Sequence, residues 1–264
     1  MTGETKSTRA TSLFLISTMC LAIFAGTISV TDSAEAATGQ TWNLTPGWTG
    51  SRYDSMIWED RVVWRDYPGS SRYDIWLWDQ GTYSDLTPGN NYNYYPDIHG
   101  DLIVYERNSD IFLYNISSTT TTQITSGNHY FRDPAIWEDT IVYERYTSGS
   151  QYRIMMYDLS TSTETQIAYT TGSRYDPEIY EDIVVWYDYR NSNPDIYMYN
   201  IATSTETRVT TNTGNQYFPH IHGDWIVWQD YRNGNSDIYG YRLSTGTEVR
   251  FTTSSSSQYD PRVH

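Results

Sequence analysis

The sequence predicts an all-β protein, a β-propeller of four-stranded antiparallel blades, on three observations. An aliphatic residue followed three positions later by Asp recurs as Ile57 with Asp60, Ile98 with Asp101, Ile136 with Asp139, Ile179 with Asp182 and Ile221 with Asp224, and Val263 opens a further copy. These spacings, between 38 and 43 residues, are the size of one supersecondary unit in a repeat protein. The composition agrees, since 26 Tyr and 10 Trp with abundant Thr suit pleated, half-buried surfaces better than helices. Finally, the middle segments of each repeat are apolar on both faces, as blades buried between neighbours must be.

Residues 1–36 come first and read as a leader. Lys6, the single lysine, and Arg9 precede an apolar run from Leu13 to Val30, and Ala34-Glu35-Ala36 offers small residues where a signal peptidase cuts. Export to the extracellular space or cell surface is therefore expected, with an uncleaved membrane anchor as the alternative. Cys20, the only cysteine, lies inside this run, so processing leaves a domain, 37–264, without disulfides.

Thr41 to Pro46 (TWNLTP) has the pattern of a last strand whose earlier strands are missing. Its counterparts begin at Asp85, Gln123, Thr165, Thr207 and Val249. Each full repeat then supplies four strands. A short first strand, such as Pro96–His99 or Pro219–His222, ends at a Gly-Asp or Glu-Asp pair. Gly-Asp suits a tight hairpin with positive φ at Gly and Glu-Asp does not, so the turns are expected to differ between copies. The second strand carries an apolar triplet (Val62–Trp64, Ile103–Tyr105, Ile141–Tyr143, Val184–Trp186, Ile226–Trp228), and the third starts at Ile75, Ile111, Ile154, Ile196 or Ile238. The fourth alternates in character, as in Glu248-Val249-Arg250-Phe251, and belongs on the charged outer edge.

Taken together, [Asp/Phe]-Pro-x-Ile-x-[Gly/Glu]-Asp, Ile-Val-Trp, Asp-x-Arg-Asn-Gly-Asn-x-Asp-Ile-Tyr and Thr-Glu-x-Arg-x-Thr resemble the TolB-like β-propeller repeat, especially its copies in archaeal cell-surface proteins. The resemblance spans Thr41 to His264. It implies an interaction platform, some relatives being accessory to enzymes. It also implies a six-bladed ring closed by strands from both chain ends. Five repeats are complete and parts of a sixth are present, so a six-bladed ring is favoured, with the chain a fragment of it, and five blades with frayed ends are the alternative.

The net charge of −15 and the lack of any basic cluster exclude nucleic acid as a partner. No Gly-x-Ser-x-Gly elbow, phosphate loop, His-Glu-x-x-His pair or cysteine metal cluster occurs, so no catalytic residue is assigned and the chain is not expected to be an enzyme. The candidate binding residues lie on the first strands, which line the channel of a propeller. They are Asp97, His99, Glu178, His220 and His222, with His220 and His222 on one strand face. Tyr92, Tyr94 and Tyr95 are loop aromatics suited to stacking on sugars or on a protein. The loops Asp188-Arg190-Asn191-Asn193-Asp195 and Asp230-Arg232-Asn233-Asn235-Asp237 read as turns tied by Asx side chains. Calcium is the alternative there, and otherwise no metal or cofactor is expected. Asn43 and Asn115 head glycosylation sequons.

The function expected is a non-catalytic secreted or cell-surface module that binds a protein or glycan, with membrane contact only through an uncleaved anchor. The alternatives are a polysaccharide lyase or hydrolase with a site at the channel mouth, resembling propeller-type uronate lyases, and a structural module of a surface layer.

Overall fold

A strand that is apolar on both faces cannot be buried by its own sheet, and the fold follows from that. The computed structural model describes residues 19–24, 27–32, 41–45, 51–67, 72–89, 91–147, 151–168 and 172–263. Its first strands are β1 (Met19–Phe24), β2 (Thr27–Asp32) and β3 (Thr41–Asn43). Five four-stranded antiparallel meanders follow. Blade one is β4 (Ser51–Trp58), β5 (Arg61–Tyr67), β6 (Asp74–Asp79) and β7 (Thr82–Asp85). Blade two is β8 (Asn93–His99), β9 (Leu102–Arg107), β10 (Asp110–Asn115) and β11 (Thr120–Gln123). Blade three is β12 (Phe131–Trp137), β13 (Thr140–Thr147), β14 (Gln151–Asp158) and β15 (Thr163–Gln166). Blade four is β16 (Arg174–Tyr180), β17 (Ile183–Asp188), β18 (Asp195–Asn200) and β19 (Thr205–Arg208). Blade five is β20 (Gln216–His222), β21 (Trp225–Asp230), β22 (Asp237–Arg242) and β23 (Thr247–Arg250).

The core lies between blades. Ile98, Ile103 and Tyr105 of blade two pack with Val63, Ile75 and Leu77 of blade one. The same interdigitation joins blades two and three, three and four, and four and five. Second-strand triplets are accordingly sealed, with Trp64, Tyr105, Tyr143, Trp186 and Trp228 all at 0% exposure. Third strands are sealed less completely than the sequence implies. Ile75, Ile111, Ile154 and Ile196 are buried, but later residues such as Trp78 and Tyr114 stay half-exposed. Fourth strands are mostly exposed, as edge strands should be.

A hydroxyl fastens the outer strand inward in four of the five blades. Thr87, Thr125, Thr210 and Thr252, just past the fourth strand, accept the backbone N–H of Ile75, Ile111, Ile196 and Ile238 at 2.8–2.9 Å. Blade three has Ala168 in that place. The first hairpin turns differ from expectation: Glu59, Glu138 and Glu181 hold φ of 49–51°, much like Gly100 and Gly223 at 59° and 56°. The paired strands on either side impose one turn geometry, and glutamate accepts the left-handed backbone there.

Thr41–Asn43 does not cap a blade. It pairs with β2, which pairs with β1, and this small sheet lies beside β4 of blade one. The export reading of residues 1–36 overlaps β1 and β2, and the rest of it lies outside the described residues. At the other end the tail runs beside blade five, where the Gln258 N–H donates to the Ser236 carbonyl as Gln216 does to Pro194 one blade earlier. The described structure thus contains five complete blades, with the tail in the place of a next inner strand.

Replacing Thr210, 1% exposed, with Val keeps the shape but removes the acceptor of the Ile196 N–H. The expected loss is about 1–3 kcal/mol of stability, read as a lower urea midpoint, with Thr210→Ser recovering most of it.

Candidate functional site

Every inner strand breaks at the same place. The register of the first hairpin shifts between Tyr53 and Met56, Tyr94 and Asp97, Arg132 and Ala135, Tyr175 and Glu178, and Tyr217 and His220. The bulged residue has positive φ in each case: Asp54, Tyr95, Asp133, Asp176 and Phe218, at 47–53°, and Asp260 of the tail repeats it at 50°. Proline follows in five of these six positions and Ser55 in the other. Proline has no N–H to lose at a bulge, which is why the chain tolerates it there. The bulges turn Asp54, Tyr95, Asp133, Asp176, Phe218 and Asp260 onto a shared cavity of about 230 Å³ on the ring axis.

The predicted channel residues fall on two levels below the bulge. Asp97, Glu178 and His220 form the first with Met56, Ala135 and Arg262, and their polar atoms are engaged. Asp97 accepts the backbone N–H groups of Ile98 and Ile136, both at 2.8 Å. Glu178 pairs with Arg262 at 2.8 Å, and His220 Nδ1 accepts the Val263 N–H at 3.2 Å. His99 and His222 lie one level further along, in an unbroken arc of rings. Trp58 meets His99 at 4.0 Å, His99 meets Trp137 at 4.4 Å, Trp137 meets Tyr180 at 4.4 Å, and Tyr180 meets His222 at 4.5 Å. Burial holds both histidines below their ordinary pKa. The five predicted residues therefore do not gather into one ligand set; His264, at the next channel position in sequence, lies outside the described residues.

Tyr92, Tyr94 and Tyr95 do lie together, at the opposite mouth, but Tyr94 and Tyr95 stand in strand β8 rather than in a loop, because the first strand extends back past the bulge to Asn93. Tyr94 stands 5.2 Å from Tyr73 and 6.0 Å from Tyr95, and the Arg65 guanidinium covers Tyr53, Tyr73, Tyr94 and Tyr95 at 4.9–5.7 Å. A second arc runs Tyr130, Tyr146, Tyr152, Tyr175, Tyr187, Tyr217 and Tyr231 across blades three to five, with neighbouring rings 5.2–6.2 Å apart. Tyr53, Tyr92, Tyr95, Tyr130, Tyr189, Phe218, Tyr231 and Tyr259 are exposed here, whereas the other exposed large apolar side chains among the described residues, Tyr83, Val249 and Phe251, sit toward the outer strands. Asx loops border this face. Asp188 accepts from Arg190 and pairs with Arg174, and Asp195 pairs with Arg208, so these carboxylates spend their oxygens on the loop and its flanking strands. The Thr-Glu-x-Arg strand completes the network, Glu206 meeting Arg190, which lies 4.1 Å over Tyr197.

Between the two mouths the cavity wall is acidic. Asp133, Glu144 and Asp176 place one carboxylate oxygen each within 4.8 Å of the others. Burial pushes Asp133 up to about 6 and Asp176 up to about 7, and with the repulsion of Asp133 it holds Glu144 well above the ordinary carboxylate range. None of the three was among the sequence candidates. The signal was available in the Asp-Pro pairs at 133 and 176, but Glu144 follows an apolar triplet, where Arg65, Glu106, Tyr187 and Gln229 stand in other copies.

No protein-family model and no curated protein matches the sequence. Among solved structures the chain is similar to TolB from Acinetobacter baumannii, with a TM-score of 0.65 at 12% identity over 89% of this chain and 62% of that one. It is similar to a puromycin-hydrolyzing peptidase from Mycobacterium tuberculosis, with a TM-score of 0.68 at 11% identity over 86% and 40%. An oligogalacturonate lyase in complex with manganese gives 0.59 at 13% identity over 89% and 72%. The chain thus spans less than two thirds of that TolB and of the peptidase, and at these identities the likeness establishes the TolB-like β-propeller fold alone.

Burial, then repulsion by Glu178, pushes Asp97 up to about 7 from an unfolded value of 3.8. The native state therefore holds the extra proton between those values, and stability falls as pH rises through that window, by up to about 1.4 kcal/mol per pH unit for one proton. The expected result is a smaller difference in urea midpoint between pH 5 and pH 8 for Asp97→Asn than for the unaltered chain.

Proposed function

We propose that this chain is an exported, non-catalytic binding module and that it takes a segment of a partner protein on its tyrosine-ringed mouth. One observation carries the reading: eight exposed aromatic side chains collect on that single face, around a cavity. Tyrosine supplies large contact area at small conformational cost, and with arginine it is enriched where protein interfaces concentrate their energy. The Arg65 guanidinium set among four tyrosine rings adds a second such group. The bulge backbone and the ring contacts hold these side chains in place before any partner arrives, which lowers the entropy cost of binding.

The side chains on which a lyase or hydrolase would depend also speak for this reading. His99 and His222 are separated along the ring arc by Trp137 and Tyr180, and His220 and Glu178 are engaged with the tail. Export rests on Lys6, Arg9 and the apolar run that follows them.

Panning a displayed random-peptide library on the chain lacking residues 1–36, beside a glycan array, tests the proposal. Enriched peptides are expected to bind Tyr189→Ala/Tyr231→Ala at least thirtyfold more weakly, about 2 kcal/mol for the anchors lost. Peptides indifferent to those changes would refute it, as would turnover of a polysaccharide or peptide substrate that His99→Ala or His222→Ala abolishes.

A further inference from the structure

We propose that Asp133, Glu144 and Asp176 form a binding site for one hard divalent cation, of the calcium or manganese class, in the wall of the axial cavity. The site uses none of the channel histidines and stands independently of the tyrosine face.

The residues come from three strands of two blades: β12 and β13 of blade three and β16 of blade four. Arg132 and Glu144 are cross-strand partners across the bulge, so the register that creates the bulge also sets Asp133 beside Glu144. Glu144 is fixed from both sides, with Oε2 accepting from Arg132 Nε at 2.8 Å and Oε1 accepting the Asp176 backbone N–H at 2.9 Å. Asp133 and Asp176 are the positive-φ residues of their strands, and both line the cavity.

Three oxygens within 4.8 Å of one another match the geometry of a hard cation. Two oxygen ligands at roughly 2.3–2.6 Å from a common ion stand at most about 4.6–5.2 Å apart, and three sharing it evenly about 4.0–4.5 Å, so the cluster would close slightly around the ion. A second observation is independent of the clustering. Asp176 Oδ2 is buried and has no hydrogen-bond partner in the protein, a costly state for a carboxylate oxygen unless a ligand completes it.

The charges count the same way. Arg132 offsets one of the three carboxylates, lying 2.8 Å from Glu144 and 3.4 Å from Asp133. Arg65 pairs with Asp54 at 3.0 Å and Arg262 with Glu178 at 2.8 Å, while Glu106, Asp97 and Asp260 add negative charge around the cluster. With all three ionised, as a bound cation would hold them, the cluster keeps an excess of negative charge that a divalent ion would offset. Oxygen-only donors select a hard ion over zinc or copper.

The experiment is calorimetric titration of the chelator-treated full chain with calcium chloride and with manganese chloride, the latter also followed by the loss of the free-ion paramagnetic signal. One cation per chain is expected. Asp176→Asn and Asp133→Asn should each weaken it at least tenfold, and Asp260→Asn, on the exposed rim of the same cavity, should change it less than twofold. Circular dichroism checks that the variants are folded, and either one alone suffices for the comparison. Absence of saturable binding of both ions overturns the proposal, because the carboxylates would then be sharing a proton instead. Binding that survives both Asp133→Asn and Asp176→Asn overturns it equally, by placing the ion elsewhere.

Discussion

The architecture depends on one mismatch, that the second strand of each blade is apolar on both faces while a single sheet offers cover on neither. Val62 and Val63, Ile103 and Val104, or Val184 and Val185 point to opposite sides of their sheets, yet all are sealed. Only a neighbour on each side can do this, so hydrophobic burial acts between blades rather than within them. The clusters reflect it, each drawing on two consecutive blades. Where no complete blade follows, the cover thins. Ile238 of blade five is only partly buried, whereas Ile196 one blade earlier is sealed, and Phe251 turns back over Gly240 and Trp225.

That dependence explains why the fold was legible in the sequence and the site was not. Period, strand number and the exposed fourth strand all express repeated burial, which every copy must satisfy and which therefore appears as a pattern. Single-residue propensity separates the Glu-Asp hairpins from the Gly-Asp ones, whereas flanking strands hold Glu59, Glu138 and Glu181 in the same backbone as Gly100 and Gly223. The channel residues lie on the inner strands that the repeat assigns them, but on two levels. The distances between levels, and the use of Asp97 and His220 to bind backbone N–H groups, arise from tertiary contacts that no spacing encodes.

Asp133, Glu144 and Asp176 show the same limit from the other side. They meet because a bulge in one strand, its hairpin partner and the next blade converge. In sequence Glu144 is merely the residue after Ile141-Val142-Tyr143, in a column that also holds arginine, tyrosine and glutamine. The Asx loops are the converse case. Their recurrent spelling is conspicuous, but it encodes a closed network in which Asp188, Arg190 and Glu206 answer one another.

The bulge before each proline has a wider consequence. Its backbone is the same whether the residue is aspartate, tyrosine or phenylalanine, and the side chain lines the axial cavity. The scaffold thereby repeats one position around the axis, open at Tyr95 and Phe218 and tied into ion pairs at Asp54 and Asp133. The strands thus carry the architecture, and the residue at the bulge varies around the axis without changing its backbone.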